Sequence, residues 1–250
     1  MTNLFQQLIQ FLKKANRIAV LTGAGISTES GIADYRSKGG LWDRFQPVTI
    51  QEFLASDDKR RQYWRQKMDL YASFPTAQPN AGHRAVTRLH ELKKLSGLIT
   101  QNIDGLHQMA GVPPEKIIEL HGTNRETVCL NCRDVTPWKE VYARLESGEE
   151  APRCLDCGGL LKPNTISFGQ SLDPGTLECA TRLAGECDLF LAVGSTLVVE
   201  PAASLPRLAK SRGAALVILT LSATPLDEQA DLKITAPIGA TLTNALAALT

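Results

Sequence analysis

Apolar, β-rich runs recur along the chain at residues 17–22, 97–101, 117–120, 164–168, 188–193 and 215–220, mostly separated by helix-length segments. Strands that read as continuous apolar stretches are buried on both faces, and strands alternating with helices build crossover units. The pattern therefore predicts an α/β fold with a doubly wound parallel sheet, Rossmann-like in class. Two stretches fall outside it. Residues 35–74 look helical and carry several aromatics, and residues 125–161 are rich in cysteine, proline and charge with few strand signals. They read as insertions that build a second, smaller domain. The expected division gives residues 1–34, 75–124 and 162–250 to the sheet domain and residues 35–74 and 125–161 to the inserted one.

A chain of 250 residues with 43% hydrophobic content can bury a sizeable core without disulfide staples. The formal net charge is +1 and neither sign is gathered into long blocks, so there is no broad electrostatic footprint for nucleic acid or an anionic membrane. Partners are expected to be recognised locally. Residues 4–12 interleave glutamines with leucine, isoleucine and phenylalanine at helical spacing; they lack a cationic leader and are too short to span a bilayer. An amphipathic helix packed on the domain is expected, in a cytoplasmic protein.

Cysteine usage sharpens the reading of the second insertion. Cys129-Leu130-Asn131-Cys132 and Cys154-Leu155-Asp156-Cys157 form two Cys-x-x-Cys knuckles, the arrangement that wraps four thiolates tetrahedrally round one zinc ion. Four sulfur ligands leave no coordination position for water, so the metal is expected to hold the insertion together and to do no chemistry. A redox dithiol needs one exposed cysteine of low pKa, and the doubled knuckle argues against it. Cys179 and Cys187 stand outside any knuckle and read as small core residues.

Polar groups collect where predicted strands end. Gln101-Asn102-Ile103-Asp104-Gly105-Leu106-His107 follows one strand, and His121-Gly122 follows another. In α/β proteins that is where ligands sit. The plainer alternative is that Asn102 and Asp104 cap a helix and that His107 and His121 are structural histidines. Upstream, the strand 18–22 runs into Gly23-Ala24-Gly25-Ile26-Ser27-Thr28, where glycines would let backbone N–H groups approach a phosphate. The dinucleotide fingerprint is matched only in part, because Thr28 holds the third glycine position. Gly194-Ser195-Thr196 supplies a second turn with hydroxyls that can reach a ribose or phosphate. Two such turns suit a dinucleotide, although a plain tight turn explains either one alone.

These pieces, in this order, resemble the sirtuin family of NAD-dependent protein deacylases. The likeness rests on residues 23–27, residues 31–36, residues 101–104, His121-Gly122, the four cysteines, Phe168-Gly169 and residues 194–197. It implies NAD as cofactor, one structural zinc and an acylated-lysine protein or peptide as partner, with no nucleic acid and no membrane. By the same likeness His121 is the catalytic base, and its near-neutral pKa suits proton transfer from a ribose hydroxyl. Asn102 and Asp104 match residues that hold the nicotinamide and ribose, and Gln101 and Ile103 match further cofactor contacts. Arg36 matches a residue near the diphosphate, while Ala24, Thr28 and Tyr35 complete the loop around the cofactor. Gly23, Gly25, Gly194, Ser195, Thr196 and Thr220 fall at the remaining cofactor positions. Phe168 and Gly169 align with the edge that receives substrate peptide as an added strand, with Val198 and Val199 at the lysine tunnel.

Several positions depart from the family pattern. Ala33 replaces a common proline, and Tyr35 stands where many members have phenylalanine, which places the chain nearest the subgroup called class II. Gln170 replaces the usual glutamate after Phe168-Gly169, Glu200 falls where an aromatic often sits, and Thr220 replaces a ribose-binding asparagine. Members favouring acidic acyl groups carry a Tyr-x-x-Arg pair; residues 61–67 read Arg-Gln-Tyr-Trp-Arg-Gln-Lys, so succinyl or malonyl specialisation is not expected. Deacetylation is the expected reaction, with removal of longer acyl chains or mono-ADP-ribosyl transfer as alternatives and a nonenzymatic NAD-sensing scaffold behind them. The sequence leaves the oligomeric state open and is compatible with a monomer.

Overall fold

The computed structural model describes residues 3–35, 40, 43, 46–72 and 74–249. Its strands are β1 (Ile18–Thr22), β2 (Leu95–Thr100), β3 (Ile117–Glu119), β4 (Gly122–Cys129), β5 (Val135–Pro137), β6 (Leu161–Thr165), β7 (Leu189–Val193), β8 (Ala215–Leu219) and β9 (Leu232–Ile234). Six of them form one sheet in the order β3-β2-β1-β7-β8-β9, and every pairing in it is parallel. The chain winds outward from β1 in one direction and from β7 in the other, so a switch point lies between those two strands.

Side chains of a strand alternate between faces, and β1 shows how that builds two cores. Ile18 and Val20 pack with Leu8 and Leu12 of α1 (Asn3–Lys14), Val86 and Leu89 of α4 (Ala81–Glu91), and Leu242 of α9 (Ile238–Ala247). Ala19 and Leu21 point the other way, against Ala180 and Ala184 of α7 (Pro174–Glu186) and Leu205 and Ala209 of α8 (Ser204–Ser211). The expected N-terminal amphipathic helix is thus α1, its Leu8, Ile9 and Leu12 buried.

The second sheet is antiparallel, in the order β5-β4-β6. It carries the cysteine knuckles and α6 (Trp138–Glu146), whose Val141 and Leu145 pack with Trp64, Cys129, Cys154 and Leu161. Beside it lie α2 (Ile50–Ala55) and α3 (Asp57–Tyr71), started by Thr49 and Ser56, whose hydroxyls accept from Glu52 N and Lys59 N. A short helix, α5 (Leu106–Met109), follows β2.

Two sequence expectations change here. The run at 164–168 was expected to add a strand to the parallel sheet, but β6 pairs with β4, with Leu161 opposite Cys129. Folding of the knuckles brings 129 and 161 side by side, so the run closes a local antiparallel pair. The sixth parallel strand is β9, whose three residues with a central Lys233 are too short to give a periodic signal. Cys187 is buried as expected, but Cys179 is exposed on α7.

Candidate active site

The carboxyl ends of β1, β2, β7 and β8 open on one cleft of about 740 Å³. It straddles the switch point, where open α/β sheets bind ligands. Gly23, Ala24, Gly25 and Thr28 reach it from β1, Gln101, Asn102 and Ile103 from β2, Gly194, Ser195 and Thr196 from β7, and Thr220 from β8. His121, beyond β3, and Tyr35 complete this side, while Phe168, Gly169 and Val199 lie on the opposite wall. Residues far apart in sequence are therefore brought together by sheet topology alone.

Not every expected position is at the surface of the cleft. Asp104 does not line it; its Oδ1 accepts from Leu106 N at 3.0 Å and its Oδ2 from Ser27 Oγ at 2.7 Å. Burial raises its carboxyl pKa against the pull of those bonds. Val198 is half exposed outside the lining, and Arg36 lies outside the described residues.

The glycines also carry a close packing contact that the motif does not announce. Gly23 N donates to Val193 O at 3.0 Å and Gly25 N to Gly194 O at 2.8 Å, so neither amide is left for a phosphate. A Cβ on Gly25 would meet Gly194 O at 2.8 Å, and one on Gly194, at φ +62, would meet Ile26 N at 2.4 Å. Close approach of the β1 and β7 loops, more than open access to backbone donors, is what requires glycine here.

Below the cleft lies a network that explains how the β2 loop is held. Asn102 Nδ2 donates to Gly23 O and to Ser27 Oγ, both at 3.1 Å, which leaves its Oδ1 to receive a bond. Gln101 Nε2 donates to Ser195 Oγ at 2.9 Å, tying β2 to β7. Ser27 also meets His83 Nε2 at 3.4 Å, and His83 Nδ1 accepts from Asn80 N at 3.3 Å, so the proton of this imidazole sits on Nε2. His107 is fully enclosed. Thr22 Oγ1 gives its hydrogen to Thr100 Oγ1, so His107 Nε2 is the donor to Thr22 Oγ1 at 3.1 Å. Burial pushes the His83 pKa down to about 4 and that of His107 well below its ordinary value. Both imidazoles are neutral at physiological pH.

His121 differs from these two, because it lines the cleft. Its Nδ1 stands 3.1 Å from Gln101 O, and a carbonyl can only accept, so Nδ1 carries the hydrogen and Nε2 keeps a free lone pair. Burial lowers its pKa, partly opposed by the Gln101 carbonyl. The result is an imidazole poised as a base.

The four cysteines form a separate centre. Their sulfurs all lie within 4.8 Å of one another, with Cys129–Cys157 at 3.5 Å and Cys132–Cys154 at 3.7 Å. A tetrahedral zinc with Zn–S bonds of about 2.3 Å needs edges of about 3.8 Å. The set fits, and the separations are far too long for disulfides. Asn131 N and Cys132 N point at Cys129 Sγ, and Gly159 N and the Asn131 side chain at Cys157 Sγ, donors that favour thiolates.

The departures at the peptide edge are also accounted for. Gln170 Oε1 turns back to accept from Ser167 N at 3.1 Å, and Glu200 is engaged by Ser204 Oγ at 2.6 Å and Arg207 Nη1 at 3.1 Å. Phe168 O accepts from Ile50 N at 2.9 Å and Gly169 O from Gln51 Nε2 at 3.1 Å, which anchors this loop on α2. The sequence alone assigns no separate role to Ser27 or His83. His83 is one of only four histidines and sits at the start of an amphipathic helix, a signal that was available.

Comparison with known proteins bears directly on this geometry. The model of the Sir2 family matches residues 23–201. The chain is 47% identical over 229 residues to NAD-dependent protein deacetylase 2 of Streptomyces coelicolor, covering 90% of this chain and 94% of that relative. It is 45% identical over 240 residues to the NAD-dependent protein deacetylase of Rhodopseudomonas palustris, covering 95% and 94%. A solved structure described as a complex of Sir2, p53 peptide and NAD+ superposes with a TM-score of 0.88 at 33% identity, covering 99% of this chain and 98% of that one. Another, solved in work on the mechanism and regulation of Sir2 enzymes, superposes with a TM-score of 0.90 at 36% identity, covering 100% and 98%. The likeness extends beyond the matched motifs to nearly the full length of both chains, and the chain belongs to the Sir2 family.

Proposed function

We propose that this chain is an NAD-dependent protein-lysine deacylase, with deacetylation as its basic reaction. The observation that carries the reading is His121, held as a neutral imidazole with its free Nε2 in the cleft at the switch point. NAD fits the polar groups present: side-chain amides and hydroxyls that can donate, and an Asn102 Oδ1 that can accept, spread along a crevice at four strand ends. When bound, it supplies an electrophilic ribose carbon with nicotinamide as leaving group. His121 Nε2 accepts a ribose hydroxyl proton, a transfer that suits a group titrating below neutrality. Asn102 presents its Oδ1 to the carboxamide or ribose, fixed by its bonds to Gly23 and Ser27, and Asp104 acts through Ser27 to hold that pose. Thr220 meets the adenosine ribose with a hydroxyl in place of an amide. Phe168, Gly169 and Val199 face the substrate peptide, and Cys129, Cys132, Cys154 and Cys157 hold one zinc that stiffens the small sheet. Tyr35 at the cleft supports the class II grouping.

Incubation with NAD and an acetyl-lysine peptide should release nicotinamide only when both are present. Nicotinamide release without acyl-lysine, accompanied by labelled ADP-ribose on protein, would replace this reading with ADP-ribosyl transfer.

A further inference from the structure

His121 sits at the middle of a short arc of chain that leaves β3 at Glu119 and returns along β4 to Arg125. The outward half follows the end of β2: Leu120 N donates to Thr100 O at 2.9 Å, and the His121 ring meets Gln101 O. The chain then turns at Gly122, where φ is +75 and a Cβ would stand 2.2 Å from Asn164 O. On the way back Asn124 N donates to Ile103 O at 3.1 Å. The arc thus wraps the loop that carries Gln101, Asn102 and Ile103 into the cleft.

Two charged side chains join the feet of this arc. Arg125 Nη2 donates to Glu119 Oε2 at 2.8 Å, and Arg125 Nε to Thr123 Oγ1 at 2.9 Å. Arg125 Cδ lies 3.4 Å from where a Cβ on Gly105 would stand, so the stem of the same side chain rests on the start of α5. The Glu119 side chain, 20% exposed, is the least exposed carboxylate in any ion pair among the described residues. Burial raises its pKa, and the Arg125 guanidinium pulls it back. Taking a carboxylate out of water costs free energy that a half-exposed arginine only partly returns. Neither residue lines the cleft. Stability gives little reason for the pair; the geometry of the arc gives a clear one.

We infer that Glu119 and Arg125 form a clamp that positions His121. Their pairing closes the arc at both feet, while the Arg125 stem bears on the end of the loop that presents Asn102. One side chain therefore fixes the base relative to the groups that hold the cofactor. Misplacing a reacting group by about 1 Å can cost about 10²-fold in rate, and the arc decides where the imidazole stands. Both residues act through the backbone and are positioning residues, not catalytic ones. The inference rests on the deacylase reading and adds two residues to its machinery.

The test is a double-mutant cycle of Glu119→Gln, Arg125→Met and the two together, read by nicotinamide release with NAD and an acetyl-lysine peptide. Each single variant should lower kcat by about tenfold, with the KM values for NAD and peptide within about twofold of wild type. The double variant should be no slower than the slower single one, because either change opens the same clamp. Arg125→Lys should recover part of the loss. Nitrogen NMR of the histidine side chains should show the His121 hydrogen on Nδ1 in the wild type and a mixture of tautomers in Arg125→Met. Wild-type kcat in Arg125→Met, losses that multiply in the double variant, or a rise in both KM values at unchanged kcat overturns the inference and leaves the deacylase reading in place. If the wild type releases no nicotinamide, that reading falls, and the imidazole spectra, which need no turnover, decide the clamp: one tautomer in both proteins refutes it. Should Glu119→Gln fail to fold, the kinetics and spectra of Arg125→Met and Arg125→Lys decide.

Discussion

His121 Nδ1 and the carbonyl oxygen of Gln101 lie 3.1 Å apart, so the loop that follows β2 fixes which nitrogen of the imidazole is free. Replacing His121 by alanine should lower nicotinamide release by about 10²–10⁴-fold, the usual contribution of a positioned base. The melting temperature should stay close to that of the wild type, because the side chain borders a cleft. In the wild type, the base form is present at pH 7 and is lost as pH falls through a pKa below the ordinary 6.5. The acid limb of kcat/KM is therefore expected below that pH, and an acid limb above it would contradict the assignment.

Ser27 gathers Asn102 Nδ2, Asp104 Oδ2 and His83 Nε2 around one oxygen. Ser27→Ala should cost about 1–3 kcal/mol of stability, because buried polar groups lose their partner. It should also depress turnover while leaving zinc content unchanged. Chemical denaturation, steady-state kinetics and metal analysis together separate these effects; unaltered kinetics would show that Ser27 does not position the β2 loop.

The buried imidazoles predict a stability that falls on the acid side. His83 titrates near 4 when folded because of burial, against an ordinary value of 6.5. The unfolded chain therefore takes up a proton first as pH drops. Its contribution, of order 3 kcal/mol, is intact above about pH 6.5 and is lost progressively toward pH 4. His107 acts in the same direction. Urea midpoints between pH 7 and 4.5 should fall, and less steeply in His83→Gln; identical slopes in the two proteins would sink this attribution.

Removal of metal should be visible in tryptophan fluorescence. Trp64 is 1% exposed and packs in one cluster with Cys129 and Cys154, stacked on Trp138 at 6.1 Å. A chelator, or Cys132→Ser, should release zinc, shift the emission to the red and lower the melting temperature, since structural zinc contributes folding free energy directly. Tight zinc retention by Cys132→Ser would argue against four-sulfur ligation.

Much of this was legible in the sequence where a signal is local. The β1, β2, β7 and β8 runs and the paired knuckles announce themselves through continuous apolar residues and through spacing. The β6 assignment failed because an apolar run does not say which sheet it joins. Tertiary pairing with β4 decided that. The glycine loop announces itself in the sequence but its close packing does not, since only the folded chain shows Gly25 against Gly194. Asp104 and Ser27 show the same limit: a motif names polar residues without saying which of them face a ligand and which hold the others.

Strand β4 starts at Gly122, next to His121, and ends at Cys129, a zinc ligand candidate. Eight residues of extended chain span roughly 27 Å at most, so a single beam ties the metal knot to the reacting imidazole. Whatever loosens the knot, whether oxidation of a thiolate or theft of the ion, would be transmitted along that beam, making the distant cysteines custodians of the catalytic geometry.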